Sequence, residues 1–269
     1  ICSLPTLFYQ VNEAVNDPEC SFSEIARIIS ADTALCARLL KIVNSPFYGF
    51  PSQVETISHA IAIVGTSQLR DLVLATTILS KFKGLSVELV NMESFWRHSI
   101  ACGLAARIIA TFRRESNPDR FYVIGLLHDI GRLIVYQNIP EQAKEVFDVA
   151  QSKERLVHEV EREVLGFDHA DVGKKLLEIW KLPPGLAEAV GNHHNPAQSF
   201  GYPLESAVVH AANIIVTAMQ LGNSGERFVP PLNPKTLEWL DFLVAKMREV
   251  MDQVDLQFEA TVEMFLIEE

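Results

Sequence analysis

Cysteine is scarce in this sequence, and the four present, Cys2, Cys20, Cys36 and Cys102, never stand in a CxxC pair. Thiols scattered in this way exclude a zinc knuckle and supply no disulfide framework, so free thiols in a reducing, cytoplasmic setting are expected. Long apolar runs are missing as well. No stretch of about 18 uninterrupted apolar residues occurs, and the first residues lack a basic segment followed by a hydrophobic one, so neither a membrane span nor a signal peptide is expected. Positive charge is in short supply: 23 Lys and Arg against 34 Asp and Glu leave a formal net charge of -11. Binding a nucleic-acid backbone needs a concentrated Lys/Arg surface, so a general nucleic-acid binder is excluded. A small phosphorylated ligand is not, because a bound metal ion sets the charge of its own surroundings.

Also lacking are internal repeats and segments of alternating polarity, so the expected class is all-α. With 48% apolar residues the chain can bury a substantial core. Ser21 followed by Glu24 reads as a capping box, and Asp32 caps a second helix with Leu35, Leu39, Ile42 and Val43 on one face. Asn44-Ser45-Pro46 stops it, and the turn from Phe47 to Phe50 carries three aromatics. Ile57, Ala60, Ile61 and Val64 form a third stripe ended by Gly65, and Thr66 opens a fourth. The pattern lapses near Gly84, which sets an expected boundary between an amino-terminal bundle, residues 1–85, and a second half, residues 86–269. That half begins with a long, mostly buried helix through Phe95, Trp96 and Cys102. The segment Arg155 to Leu165 reads as amphipathic, with its charges and His158 in solvent.

The second half is organised around Asp119 to Arg132, DRFYVIGLLHDIGR. An apolar helix carrying Phe121, Ile124 and Leu127 delivers His128 and Asp129 into a core, where neither is buried cheaply without a partner. Adjacent helical residues point about 100° apart, so the pair shares one object most easily at a helix end. Seven of the eight histidines follow residue 95, and His98, His128, His169, His193 with His194, and His210 with Asn213 fall on five successive helices. Imidazoles with a carboxylate suit first-row metals, Fe, Mn, Ni or Zn, and a shared Asp can hold two ions.

The amino-terminal residues resemble the HDOD family. Leu4-Pro5, Asp17-Pro18, the run Ile28 to Asp32, the LLKIVNSPFYG of Leu39 to Gly49, Val64-Gly65 and Leu69-Arg70 carry the resemblance. It implies an all-helical protein, a bundle followed by an HD-like half, at work in bacterial signalling and regulation. The histidine order resembles the HD superfamily and, in more detail, its HD-GYP branch. The HDIG of His128 to Gly131, the run His169 to Gly173, and His193-His194 followed by Gly201-Tyr202-Pro203 match. The resemblance implies His98, His128, Asp129, His169, His193 and His194 as ligands to one or two metal ions, with His210 and Asn213 as further candidates. Departures stand at Asn195, Arg132 and Asn213, where the branch has an acidic residue, Lys and Asp.

Two functions follow from this set. One is a regulatory HDOD module with a largely retained metal site and little or no turnover, whose partner is a small phosphorylated ligand or a signalling protein. The alternative is a metal-dependent phosphodiesterase or phosphohydrolase acting on a cyclic dinucleotide or nucleotide, with Asp129 in the centre and Arg132 or Lys174 neutralising phosphate charge. Oligomeric state is not legible.

Overall fold

Asp32 and Ser21 start their helices as their chemistry requires. The Asp32 carboxylate accepts from the amide of Leu35, and the Ser21 hydroxyl from that of Glu24, each satisfying an amide with no partner inside its helix. The computed structural model describes residues 3–82 and 88–266, and the boundary expected near Gly84 lies outside them. Among the described residues the secondary structure is α-helix with one 3-10 turn and no strand. These residues fall into two compact units, one of 3–82 with 257–266 and the other of 88–256. The stretch from Gln257 on therefore belongs with the amino-terminal unit, not with the second half to which the sequence reading gave it.

The first unit holds α1 (Thr6–Asn16), α2 (Phe22–Ser30), α3 (Thr33–Val43), α4 (Ile57–Val64) and α5 (Thr66–Phe82). Its stripes are buried as their spacing requires, with Ile29, Leu39, Ile42, Val43 and Ala60 wholly inaccessible. Asn44 closes the loop after α3. Its amide nitrogen donates to the carbonyls of Leu40 and Val54, and its oxygen accepts from the amide of Val54. Within that loop Phe47 is buried, while Tyr48 and Phe50 stack at 5.6 Å. Gly65, at φ 101, turns the chain between α4 and α5 through a backbone region that L side chains rarely adopt.

The second unit runs through α6 (Met92–Phe112), α7 (Pro118–Leu127), α8 (Ile130–Asn138), α9 (Pro140–Ser152), α10 (Val157–Leu165), α11 (His169–Ile179), α12 (Pro184–Gly191), α13 (Pro203–Met219) and α14 (Pro234–Trp239). The last helix, α15 (Leu243–Leu266), begins here and ends among the residues of the first unit. Glycines allow two close helix crossings. A Cβ on Gly125 of α7 would stand 2.5 Å from the Cys102 carbonyl oxygen of α6, and one on Gly103 would stand 2.8 Å from that of Tyr122. A Cβ on Gly131 of α8 would meet the His169 carbonyl oxygen of α11 at 2.0 Å. Gly131 is the second residue of α8, where it lets two backbones touch. Among the described residues no single helix is long and apolar enough to cross a membrane.

Candidate metal centre

His128 closes α7 and Asp129 opens α8, so the break between these helices turns two adjacent residues toward one point. Three other helices complete the surroundings. α6 brings His98, the start of α11 brings His169, and the residues after α12 bring His193 and His194. An interlocked capping box between Asp168 and Asp171 fixes the start of α11, and with it His169. His128, His169 and His193 are fully buried, and Asp129 is 1% exposed.

Three of these rings are held by the same device. Nδ1 of His128 is 2.7 Å from the Gly125 carbonyl oxygen, Nδ1 of His193 is 2.7 Å from that of Val190, and Nδ1 of His169 is 2.5 Å from Oε2 of Glu161. An acceptor at Nδ1 puts a proton there and, in a neutral ring, leaves the lone pair on Nε2, the arrangement that orients metal-ligating histidines. The three Nε2 atoms converge on Asp129. Nε2 of His128 is 3.3 Å from Oδ2, and Nε2 of His169 and of His193 are 2.9 Å and 3.9 Å from Oδ1. Among the described residues, Nε2 of His128 and of His193 have no hydrogen-bond partner, and Oδ1 of Asp129 and Nε of Arg132 face each other as an ion pair without a hydrogen bond. Buried lone pairs that face one another repel unless a cation lies between them, so the donor set fits a metal ion. Two overlapping groups, His128, Asp129 and His193 on one side and His169, His193 and His194 on the other, bring their ligating atoms within 4.8 Å.

Electrostatics support the same reading for His98 and His193. Burial, then the neighbouring His128, lowers the His98 ring to about 3, against the pull of Asp129. Burial also holds His193 well below its usual range, with His128 and His169 adding to it. These rings are neutral at physiological pH, as ligands must be. Burial works against the Asp129 carboxylate, but Arg132, His128 and His169 outweigh it and keep the group ionised. His169 is the exception: burial and Arg132 oppose the charge, yet Glu161 and Asp129 raise the ring to about 9, so in the metal-free chain it carries a proton on both nitrogens, and an ion on its side must displace the one on Nε2.

Several sequence expectations change here. Arg132, expected to neutralise phosphate charge, is turned into the core: it is 2% exposed, with Nε 3.0 Å from Oδ1 of Asp129 and Nη1 3.9 Å from Oε1 of Glu161. Lys174 lays its stem against Gly191, with its charge beside Glu188. His210 has both nitrogens in use. Its Nδ1 is 2.7 Å from the His193 carbonyl oxygen, and its Nε2 accepts from the Asn233 amide at 3.0 Å. It braces the His193 backbone instead of offering a ligand atom. Asn213 lies beside the His98 ring, and its oxygen accepts from the Thr217 hydroxyl at 3.3 Å.

Three participants were not read from the sequence. Glu161 is 1% exposed, although its place at i+4 from Val157 and i+1 from Val160 put it on the buried stripe of α10. His158, expected in solvent, lies half-buried against His194, with ring centroids 3.8 Å apart and planes 8° from parallel. The Cys102 thiol, one turn beyond His98 on α6, is 3.5 Å from Nε2 of His98 and forms a further candidate group with His98 and His128.

Fold and site together define an all-helical protein with a buried histidine–aspartate cluster able to hold a metal ion. The HDOD domain family matches residues 1–196, and the chain belongs to that family. An uncharacterized protein of Treponema pallidum (strain Nichols) is 28% identical over 198 residues, which make up 72% of this chain. The match spans 38% of that relative's length. The crystal structure of an HDOD domain protein from Geobacter sulfurreducens, of unknown function, is similar with a TM-score of 0.77 at 23% identity, over 99% of this chain and 94% of that one. That of a candidate phosphohydrolase from Shewanella amazonensis SB2B gives 0.75 at 23% identity, over 99% and 95%. At these identities the likeness concerns the fold.

Proposed function

We propose that this chain is a regulatory HDOD module of bacterial signal transduction, at work in the cytoplasm, whose histidine–aspartate centre holds a first-row metal ion and turns phosphodiesters over slowly or not at all. One observation carries the reading. Asp129 is the one carboxylate in the three candidate ligand groups, and its Oδ1 is already paired with the buried Arg132. Asn213 offers a neutral carboxamide beside His98 where a second carboxylate would strengthen the hold on an ion.

When bound, the ion would supply Lewis acidity and a fixed positive charge. The residues of this chain do the rest. His128 and His193 present oriented Nε2 atoms, Glu161 orients the His169 ring, and the apolar walls of α6 and α7 exclude water. A guanidinium turned inward toward carboxylates leaves the developing charge of a phosphoryl group without a side-chain partner. Binding of a small phosphorylated ligand or a signalling protein is the output of this reading.

The test is a phosphodiesterase assay on the full chain loaded with iron or manganese, with a cyclic dinucleotide and a generic phosphodiester as substrates. Rates at the buffer level are expected, and Asn213→Asp should raise any residual rate. The converging imidazoles favour the second reading, a metal-dependent phosphohydrolase. Strong wild-type turnover abolished by Asp129→Ala would establish it.

A further inference from the structure

The two oxygens of Asp129 look onto two different sets of donors. Oδ2 faces Nε2 of His128 at 3.3 Å and Nε2 of His98 at 4.0 Å. Oδ1 faces Nε2 of His169 at 2.9 Å and Nε2 of His193 at 3.9 Å, and beyond them lies His194, 2.9 Å from His169. By donor type alone, each side could take an ion.

Charge separates the two sides. Arg132 reaches Oδ1 with Nε at 3.0 Å and Glu161 with Nη1 at 3.9 Å, and Glu161 returns to His169 at 2.5 Å, which closes a ring of four side chains. Each member is 2% exposed or less, so solvent does little to screen it. Tyr136, 3.5 Å from Nη1, fixes the guanidinium further. An ion on this side would need the oxygen that already holds a permanent cation, and the two positive charges would repel within a dry core. No such cation stands at Oδ2. There the Cys102 thiol adds a soft donor close to His98, which suits zinc or iron better than magnesium.

We propose that the centre takes a single metal ion, on the Oδ2 side among His98, His128 and Asp129, and that the Arg132 guanidinium holds the charge position of a second ion on the Oδ1 side. The inference rests on the metal-site reading above and deepens it. A symmetric clamp on both the attacking and the leaving oxygen of a phosphodiester requires two ions, and a buried guanidinium turned toward Asp129 and Glu161 does not supply the second arm of such a clamp.

Manganese loading of the full chain, followed by removal of free ion, tests this through stoichiometry and electron paramagnetic resonance. One ion per chain is expected, with the six-line spectrum of isolated Mn(II), and Arg132→Gln should raise the count toward two and broaden the spectrum by coupling. Should Arg132→Gln lose its helical circular dichroism, the paired change Arg132→Met with Glu161→Gln removes both charges of the ion pair and is read in the same way. Two ions in the wild type would overturn the single-ion proposal while leaving the metal centre intact. One ion in both the wild type and the folded charge-removed variant would overturn the role of Arg132. No ion in any form would overturn the metal reading, and this inference with it.

Discussion

Nε2 of His128 and Oδ2 of Asp129 face each other at 3.3 Å across the break between α7 and α8, with no hydrogen bond from that nitrogen among the described residues. A cation between them removes a repulsion that the folded chain otherwise carries. Metal should therefore stabilise the protein, by about 2.7 kcal/mol at a free concentration 100 times Kd. Thermal melts across a series of manganese or zinc concentrations should show Tm rising with the ion, and Asp129→Ala should abolish the rise. A wild-type Tm indifferent to metal and chelator would contradict this.

Gly131 places α8 against α11. A methyl group there would stand 2.0 Å from the His169 carbonyl oxygen and 2.6 Å from the Gly173 amide nitrogen, both backbone atoms that cannot swing away. Gly131→Ala should cost at least the ~1–3 kcal/mol typical of overpacking and should weaken metal binding as well, because α8 carries Asp129 and α11 carries His169. Denaturant melts paired with metal titrations check both effects. Lost stability with unchanged metal affinity would mean that the spacing of the two helices does not set the site.

Glu188 supplies a pH dependence away from the ligands. Its Oε1 accepts from the Ser199 hydroxyl at 2.8 Å and the Gly201 amide at 3.0 Å, holding the loop that leads into α13. Burial opposes its charge, but the Gly201 amide and the Ser199 hydroxyl, with help from Phe200 and Lys174, bring the carboxyl below its ordinary 4.5. A depressed folded value means that this stabilisation is complete above the unfolded value and is lost as pH falls through the folded one. The Tm difference between wild type and Glu188→Gln should be constant near neutrality and should shrink as pH drops below about 4.3. A difference that persists in acid would show that the carboxylate charge is not what holds the loop.

Phe47 anchors the loop after α3 and is 5% exposed. Truncation to Ala should cost about 3–5 kcal/mol, as for other buried phenylalanines, while metal stoichiometry stays as in the wild type. Chemical denaturation and metal analysis of the same preparation check the two halves of that statement.

Much of the helical order was legible because the local signals agree with the packing. Ser21 and Asp32 cap where their chemistry suggests, and the stripes of α3 and α4 lie inside. Ser21 nevertheless forms only the forward bond of the box expected with Glu24, and the reciprocal pair occurs at Asp168 and Asp171. The candidate ligand histidines stood out because they accompany apolar residues, unlike His158, which sits among charges. Glu161 did not, because charge masked its place on a buried stripe and its partners, His169 and Arg132, are remote in sequence. The direction of Arg132 was equally hidden: sequence shows a cation three residues after Asp129, but only packing decides whether it turns toward that carboxylate or toward a ligand. His210 looked like a ligand until Asn233, from a distant loop, was seen to occupy its second nitrogen.

The contact of α6 with α7 at Gly103 and Gly125 has a consequence for how this centre tolerates change. His98 lies on α6 and His128 ends α7, and at the crossing nearest them backbone meets backbone. The gap between those two imidazoles is therefore gauged by main-chain thickness, which no substitution alters, and not by side-chain volumes that drift from one sequence to another. The remaining core can be repacked while this dimension stays fixed, as long as two hydrogens persist where any other residue would bring a carbon.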